Sequence, residues 1–134
     1  MSQENVEIVR PIYEAFNRRD WDALFCHTDP EFTFTYRNPG LTPDAGIRRG
    51  REEVVAFAEE YGGAFDRLVW EPEEFFDGED RVVAFVNVHS RPRGGDVDLV
   101  VPNGHLWTIR GGVVLSFESF PRPESALEAA GLSE

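Results

Sequence analysis

Ile8-Val9-Arg10-Pro11-Ile12-Tyr13-Glu14-Ala15-Phe16-Asn17-Arg18-Arg19-Asp20-Trp21-Asp22-Ala23-Leu24-Phe25 is the stretch on which the reading of this chain turns. Val9, Ile12, Tyr13 and Phe16 fall at i, i+3, i+4 and i+7, so four large apolar side chains share one helical face. Asn17 to Asp20 reads as a turn, and Asp20 as the cap of a second short helix whose Trp21, Leu24 and Phe25 form one stripe ending at Asp29-Pro30. A strand, Phe32 to Arg37, follows at once. The order predicts a helix hairpin pressed on a sheet. Pro11 should bend the first helix near Glu7 to Pro11, because an internal proline deletes a backbone hydrogen bond and crowds the turn before it.

Outward from this segment, Asn38 to Gly50 is rich in Pro and Gly and reads as a loop. A third helix opens near Arg51, with Glu52 and Glu53 in its first turn and Val54, Phe57, Ala58, Tyr61 and Phe65 on its inner face. From Leu68 the period falls from 3.6 to 2. Strands are expected at Leu68 to Phe75, Arg81 to His89, Val97 to Val101 with His105 to Arg110, and Val113 to Phe120. Asp77 to Asp80 and Gly111-Gly112 suit tight antiparallel turns, and Pro123 to Gly131 suits a short closing helix. Three helices followed by a run of strands is an α+β arrangement in a single domain, residues 1–134.

Composition narrows the partners. At 134 residues the chain can bury a core without metal or disulfide support. Its net charge of −12 repels phosphate backbones and anionic membrane surfaces, so neither nucleic acid nor membrane is expected as a partner. With Cys26 as the single cysteine, no internal disulfide is available, and the chain reads as a soluble cytoplasmic protein. His27, His89 and His105 lack the spacing and neighbouring acids of a zinc site. The acidic run Asp77 to Asp80 lacks the alternating oxygen ligands of a calcium loop. No metal or cofactor is expected.

Ile12 to Asp20, Asp29-Pro30-Glu31-Phe32, Gly50-Arg51-Glu52, Asp80-Arg81-Val82-Val83, His105-Leu106-Trp107-Thr108-Ile109 and Glu128 to Leu132 together resemble the SnoaL-like family of the nuclear transport factor 2-like superfamily, over nearly the whole chain. The resemblance implies a cystatin-like cone: a curved, mixed or antiparallel sheet covered on its concave face by three N-terminal helices, with a short C-terminal helix, commonly paired into a homodimer through the sheet. The superfamily includes ketosteroid isomerases, limonene-epoxide hydrolases and polyketide cyclases. Its isomerase positions align with Ile12, Gly104 and Thr35, none of which carries the required acid, while Tyr13 sits one place from the first. The last-strand aspartate of the hydrolases and cyclases aligns with Ser119, whose hydroxyl cannot replace a carboxylate as a base at neutral pH. His105 is what stands of a cyclase-like pair.

The reading that results is a protein that holds a small, mainly hydrophobic molecule in the cone. The alternatives are a cyclase- or isomerase-like enzyme using acid–base chemistry on His105, Tyr36 or Tyr61, and a non-catalytic dimeric interaction module. Eleven Phe, three Tyr and three Trp are many for this length, and most of them belong to the core, since an aromatic stripe at helical spacing packs the fold. Ile12, Phe16, Phe57, Tyr61, Phe117 and Ser119 form the expected pocket wall, with Thr35, Tyr36, Tyr61 and Ser119 able to hydrogen-bond an otherwise apolar guest. His105 is the candidate acid or base, against the ordinary reading of a packed, hydrogen-bonded residue. Two strand registers compete: one turns His105 and Trp107 inward, and the isomerase-like one turns Gly104, Leu106 and Thr108 inward. Asn87 and His89 read as outer-face residues, His27 as a helix-end cation, and Arg37 as a surface ion-pair partner.

Overall fold

The computed structural model describes residues 3–36 and 47–132. Arg37 and most of the expected Asn38–Gly50 loop lie outside the described residues. The chain runs α1 (Gln3–Arg18), α2 (Trp21–Leu24), β1 (Thr28–Thr35), β2 (Ile47–Arg49), α3 (Gly50–Gly62), β3 (Phe65–Gly78), β4 (Arg81–Pro92), β5 (Leu99–Arg110), β6 (Val113–Phe120) and α4 (Pro123–Ala130). Six strands form one curved sheet in the order β2-β1-β6-β5-β4-β3, and the fold is mixed α+β. Every neighbouring pair is antiparallel except β1 with β6, which run parallel, so the first strand inserts beside the last.

Helix α1 runs as one element from Gln3 to Arg18 with Pro11 inside it, so it does not restart at the proline. Its stripe of Val9, Ile12, Tyr13 and Phe16 is buried against the sheet, and each such side chain contributes about 1.5–3 kcal/mol. Arg19 takes a positive φ of 60° and ends α1, its guanidinium donating to the carbonyls of Phe16 and Leu68. Asp20 caps α2 by accepting from Ala23 N at 3.2 Å. Helix α2 is shorter than expected: it closes at Leu24, β1 begins at Thr28 ahead of Pro30, and His27 accepts from Val114 N through its carbonyl instead of capping a helix. The residues just before α3 pair as β2 with Thr33–Thr35, and Phe65 starts β3 where an extension of α3 was expected.

Strands β3 and β4 overrun their expected ends because the hairpin continues from Phe65↔Pro92 to Gly78↔Arg81. Pro72 is tolerated because β3 is an edge strand and the register shifts between Pro72 and Glu74. Gly111 and Gly112, with φ of 60° and 79°, supply the left-handed pair that a two-residue hairpin between β5 and β6 requires.

Two apolar layers result. Val82, Ala84, Val86 and Val88 of β4 join Trp107, Ile109, Val114 and Phe117 in the main core under α1 and α3. On the other face Val83 and Leu106 meet Ala126 and Ala130 of α4. A Cβ on Gly104 would lie 2.8 Å from Pro123 Cα and from Ala126 Cβ, so the bare backbone there lets α4 dock. No helix among the described residues is long and apolar enough to cross a membrane.

Candidate functional site

Alternation along β5 settles which register holds. Gly104 and Leu106 turn outward onto α4, so His105 and Trp107 turn inward, correcting the isomerase-like arrangement. His105 pairs across the sheet with Ala84 on one side and Ser119 on the other and is fully buried. Its imidazole lies among Trp70, Phe117 and Tyr13, with ring centroids 4.8, 4.8 and 5.7 Å away.

A hydrogen-bonded chain runs through this point. Trp107 Nε1 donates to the Tyr13 hydroxyl at 3.0 Å, and that hydroxyl lies 2.8 Å from His105 Nδ1. The Tyr13 hydroxyl satisfies its own proton as well as the indole's when it donates to Nδ1, and in that arrangement the imidazole proton sits on Nε2. His105 Nε2 has no hydrogen-bond partner among the described residues, nor has Trp70 Nε1. Burial lowers the His105 pKa from 6.5 to about 3, and it pushes Tyr13 well above the ordinary phenol value. At neutral pH this is an uncharged cluster, and its imidazole is a poor proton acceptor.

The Tyr61 hydroxyl lies 2.7 Å from that of Tyr36, and burial raises Tyr61 in the same way. Asn17 fixes the neighbouring strand. Its side chain accepts from Trp70 N and donates to Trp70 O, both at 2.9 Å, and so pairs with the β3 edge as another strand would. Trp70 is thereby held face to face with Phe16, centroids 4.0 Å apart.

Between the helices and the sheet remains a cavity of about 30 Å³, counted as room for the centre of a water-sized sphere. One such sphere needs roughly 10–15 Å³, so the space is that of about two waters. Its surface is apolar throughout. Helix α1 contributes Ile12, Tyr13 and Phe16, and α3 contributes Val54, Phe57, Ala58 and Tyr61. The sheet contributes Phe32, Phe34, Trp70 and Trp107, while Trp21, Leu24, Phe25 and Thr28 close the outer end.

Ile12, Phe16, Phe57 and Tyr61 therefore stand together around the cavity. His105, Tyr36, Phe117 and Ser119 lie behind that wall: Tyr36 reaches it through Tyr61, and Phe117 and Ser119 support the His105 ring. Thr35 is a correction. It alternates with Phe34 and Tyr36 and pairs beside Glu118, so it falls on the opposite face of the sheet. His89 is a surface residue whose Nε2 meets Glu71 Oε1 at 2.6 Å. Among the lining residues absent from the expected wall are Trp21, Phe34 and Trp70, with Tyr13 added as a polar group, while Trp107 lines the cavity as the inward register of β5 requires. Tyr13 was legible as a member of the α1 stripe; its hydroxyl contact became visible only once β5 was placed. Among the described residues no group of three or more His, Cys, Asp or Glu is arranged to hold a metal ion.

The fold is shared with many solved structures. An NTF2-like protein of unknown function from Burkholderia pseudomallei K96243 is 25% identical with a TM-score of 0.79, covering 92% of this chain and 95% of that one. TerC, co-crystallised with polyporic acid, is 22% identical with a TM-score of 0.79 over 92% and 95% of the two chains. A candidate SnoaL-like polyketide cyclase from Shewanella denitrificans OS-217 is 13% identical with a TM-score of 0.70 over 92% and 96%. No curated protein matches the chain. The profile of the SnoaL-like domain matches residues 9–117, from the α1 stripe through Phe117 of β6, and with the cone and its apolar hollow in place the chain belongs to the SnoaL-like domain family.

Proposed function

We propose that the protein binds a small, mainly hydrophobic molecule in the hollow between α1, α3 and the sheet. The observation that carries this reading is a cavity walled by aromatic and aliphatic side chains with no polar atom at its surface. Such a wall favours an apolar group over a charged one, because a charge entering it would lose its water with nothing to replace it. A cavity of about 30 Å³ is too small for a ring, so binding requires wall side chains to move. Trp21 and Phe25 at the outer end are only half-buried.

The test is a panel of benzene, indole, naphthalene, steroids, fatty acids and polyporic acid, read by thermal shift and tryptophan fluorescence. Polyporic acid is included because TerC, of the same fold, was co-crystallised with it. A concentration-dependent rise in Tm with at least one apolar compound is the expected outcome. Indifference to every compound would overturn the reading.

A second reading, acid–base catalysis on a cyclic ketone-like substrate, is favoured by the Tyr13–His105 bond. Turnover that His105→Ala leaves equal to the parent would dismiss it. Leu99, Val100 and Val101 are exposed on β5, which supports pairing with a second copy through the sheet; a monomer at micromolar concentration in light scattering would exclude that pairing. The single exposed Cys26 fits a reducing compartment such as the cytoplasm.

A further inference from the structure

Resting on the apolar-ligand reading above, we infer that the ligand enters through the seam between α2 and α3, that Trp21 is the door, and that the admitted group is an uncharged ring about the size of the indole that moves aside.

Trp21 is the one described residue that borders both the inner cavity and a groove on the outer surface, whose other walls are Arg51, Glu52, Val55, Ala56 and Glu59. A single half-buried side chain thus separates the two spaces. Apart from the half-buried Phe25 and Thr28 beside it, the other described residues that line the cavity are buried, so opening it there would require whole elements to part. The outer end is closed by Trp21, Leu24 and Phe25, of α2 or its cap, together with Thr28 at the start of β1. Helix α2 has four residues, too few to be stable by itself, so its position depends on what ties it down.

Besides the burial of Leu24 in the core and an edge-on contact of Phe25 with Phe32 at 6.1 Å between centroids, three ties hold it. Asp20 caps it, Trp21 packs edge-on against Phe16 with centroids 6.3 Å apart, and the Arg51 guanidinium pairs with Asp22 while lying 5.5 Å from the Phe25 ring centroid. The Arg51–Asp22 pair spans the seam between α3 and α2 with both side chains largely exposed, so it is weak enough to break and re-form. When the indole leaves, the space it vacates joins the cavity to the groove. Size then follows from that volume, and neutrality follows from a wall that offers a charge no partner.

Fluorine NMR of fluorobenzene and 5-fluoroindole with the parent, Trp21→Ala, Trp21→Phe and Arg51→Gln tests the inference, with Val113→Ala at the far hairpin as a control. The parent should bind both probes in measurable exchange. Trp21→Ala should bind about tenfold more tightly, since the missing ring enlarges the cavity, and it should exchange about tenfold faster. Arg51→Gln should exchange several-fold faster with little change in Kd, and fluorobenzoate should bind none of the proteins measurably. Trp21→Phe and Arg51→Gln carry the test if Trp21→Ala does not fold. Parent binding at rates that all three variants leave unchanged would overturn the door and leave the apolar-ligand reading standing. Fluorobenzoate binding as tightly as fluorobenzene would overturn the ligand class. Binding by Trp21→Ala with none by the parent, or no binding by any protein, would overturn both the door and the reading it rests on.

Discussion

The hydroxyl of Tyr13 lies 2.8 Å from Nδ1 of His105, across 92 residues of sequence, and ties the first helix to the middle of the sheet. With Trp107 donating to the same hydroxyl, the contact holds the imidazole in one tautomer and one uncharged state inside an aromatic shell.

That state makes stability depend on pH. Unfolded, His105 titrates near 6.5; folded, near 3. Between these values the unfolded chain binds the extra proton, so stability rises with pH across the window. The contribution is fully present above about pH 6.5 and lost as pH falls toward 3, at a slope of at most about 1.4 kcal/mol per pH unit. In urea unfolding, the stability difference between the parent and His105→Gln should shift in favour of the variant by several kcal/mol from pH 7 to pH 4. A difference that stays constant over that range would refute the assignment.

Asn17 replaces a missing strand partner for Trp70 with two hydrogen bonds at 2.9 Å. Asn17→Ala leaves a half-buried N–H and C=O unpaired and should cost about 2–3 kcal/mol in chemical denaturation. Asn17→Asp retains the acceptor but sets a carboxylate oxygen against the Trp70 carbonyl. It should be at least as destabilising at pH 7 and less so when the carboxyl is protonated.

Gly104→Ala places a methyl 2.8 Å from the backbone of Pro123. Backbone does not yield as a flexible side chain does, so α4 must shift, at about 1–3 kcal/mol. Hydrogen exchange should report lost protection in residues 123–130 and little change in α1. Unchanged protection of α4 would show that the close approach is not essential.

Pro11→Ala restores the hydrogen bond from residue 11 to the Glu7 carbonyl inside a helix that already continues through this position. The variant should gain about 1–3 kcal/mol and a higher Tm by calorimetry. An unchanged Tm would mean that the proline carries no net penalty where it stands.

Periodicity made the helices, the four long strands and the glycine hairpin readable, since each has an apolar stripe or a turn pair that local rules recognise. Strand β2 escaped because it has three residues and its pairing with β1 is not local. Four of the six residues expected in the cavity wall, Ile12, Phe16, Phe57 and Tyr61, came from helical stripes, where facing direction follows from spacing. The errors fell on strands. Thr35 was given to the wrong face, and His105 was left between two faces, because strand parity depends on which neighbour covers which side. Only α4 packing on Gly104 and Leu106 decides that. Trp21 and Trp70 escaped for a related reason: their roles come from contacts between α2 and α3, and between Asn17 and β3, that no single segment encodes.

The parallel pairing of β1 with β6 has a consequence for synthesis. Thr33 to Thr35 pair with β2 on one side, but on the other their partners are Ser116 to Glu118, so the inner side of β1 cannot close until residue 118 has been made. Until then α1 has β3 and β4 to pack on, but the core still lacks Phe117 and the rest of β6. Such distant pairing slows folding and prolongs the time for which apolar surface and an open strand edge face water.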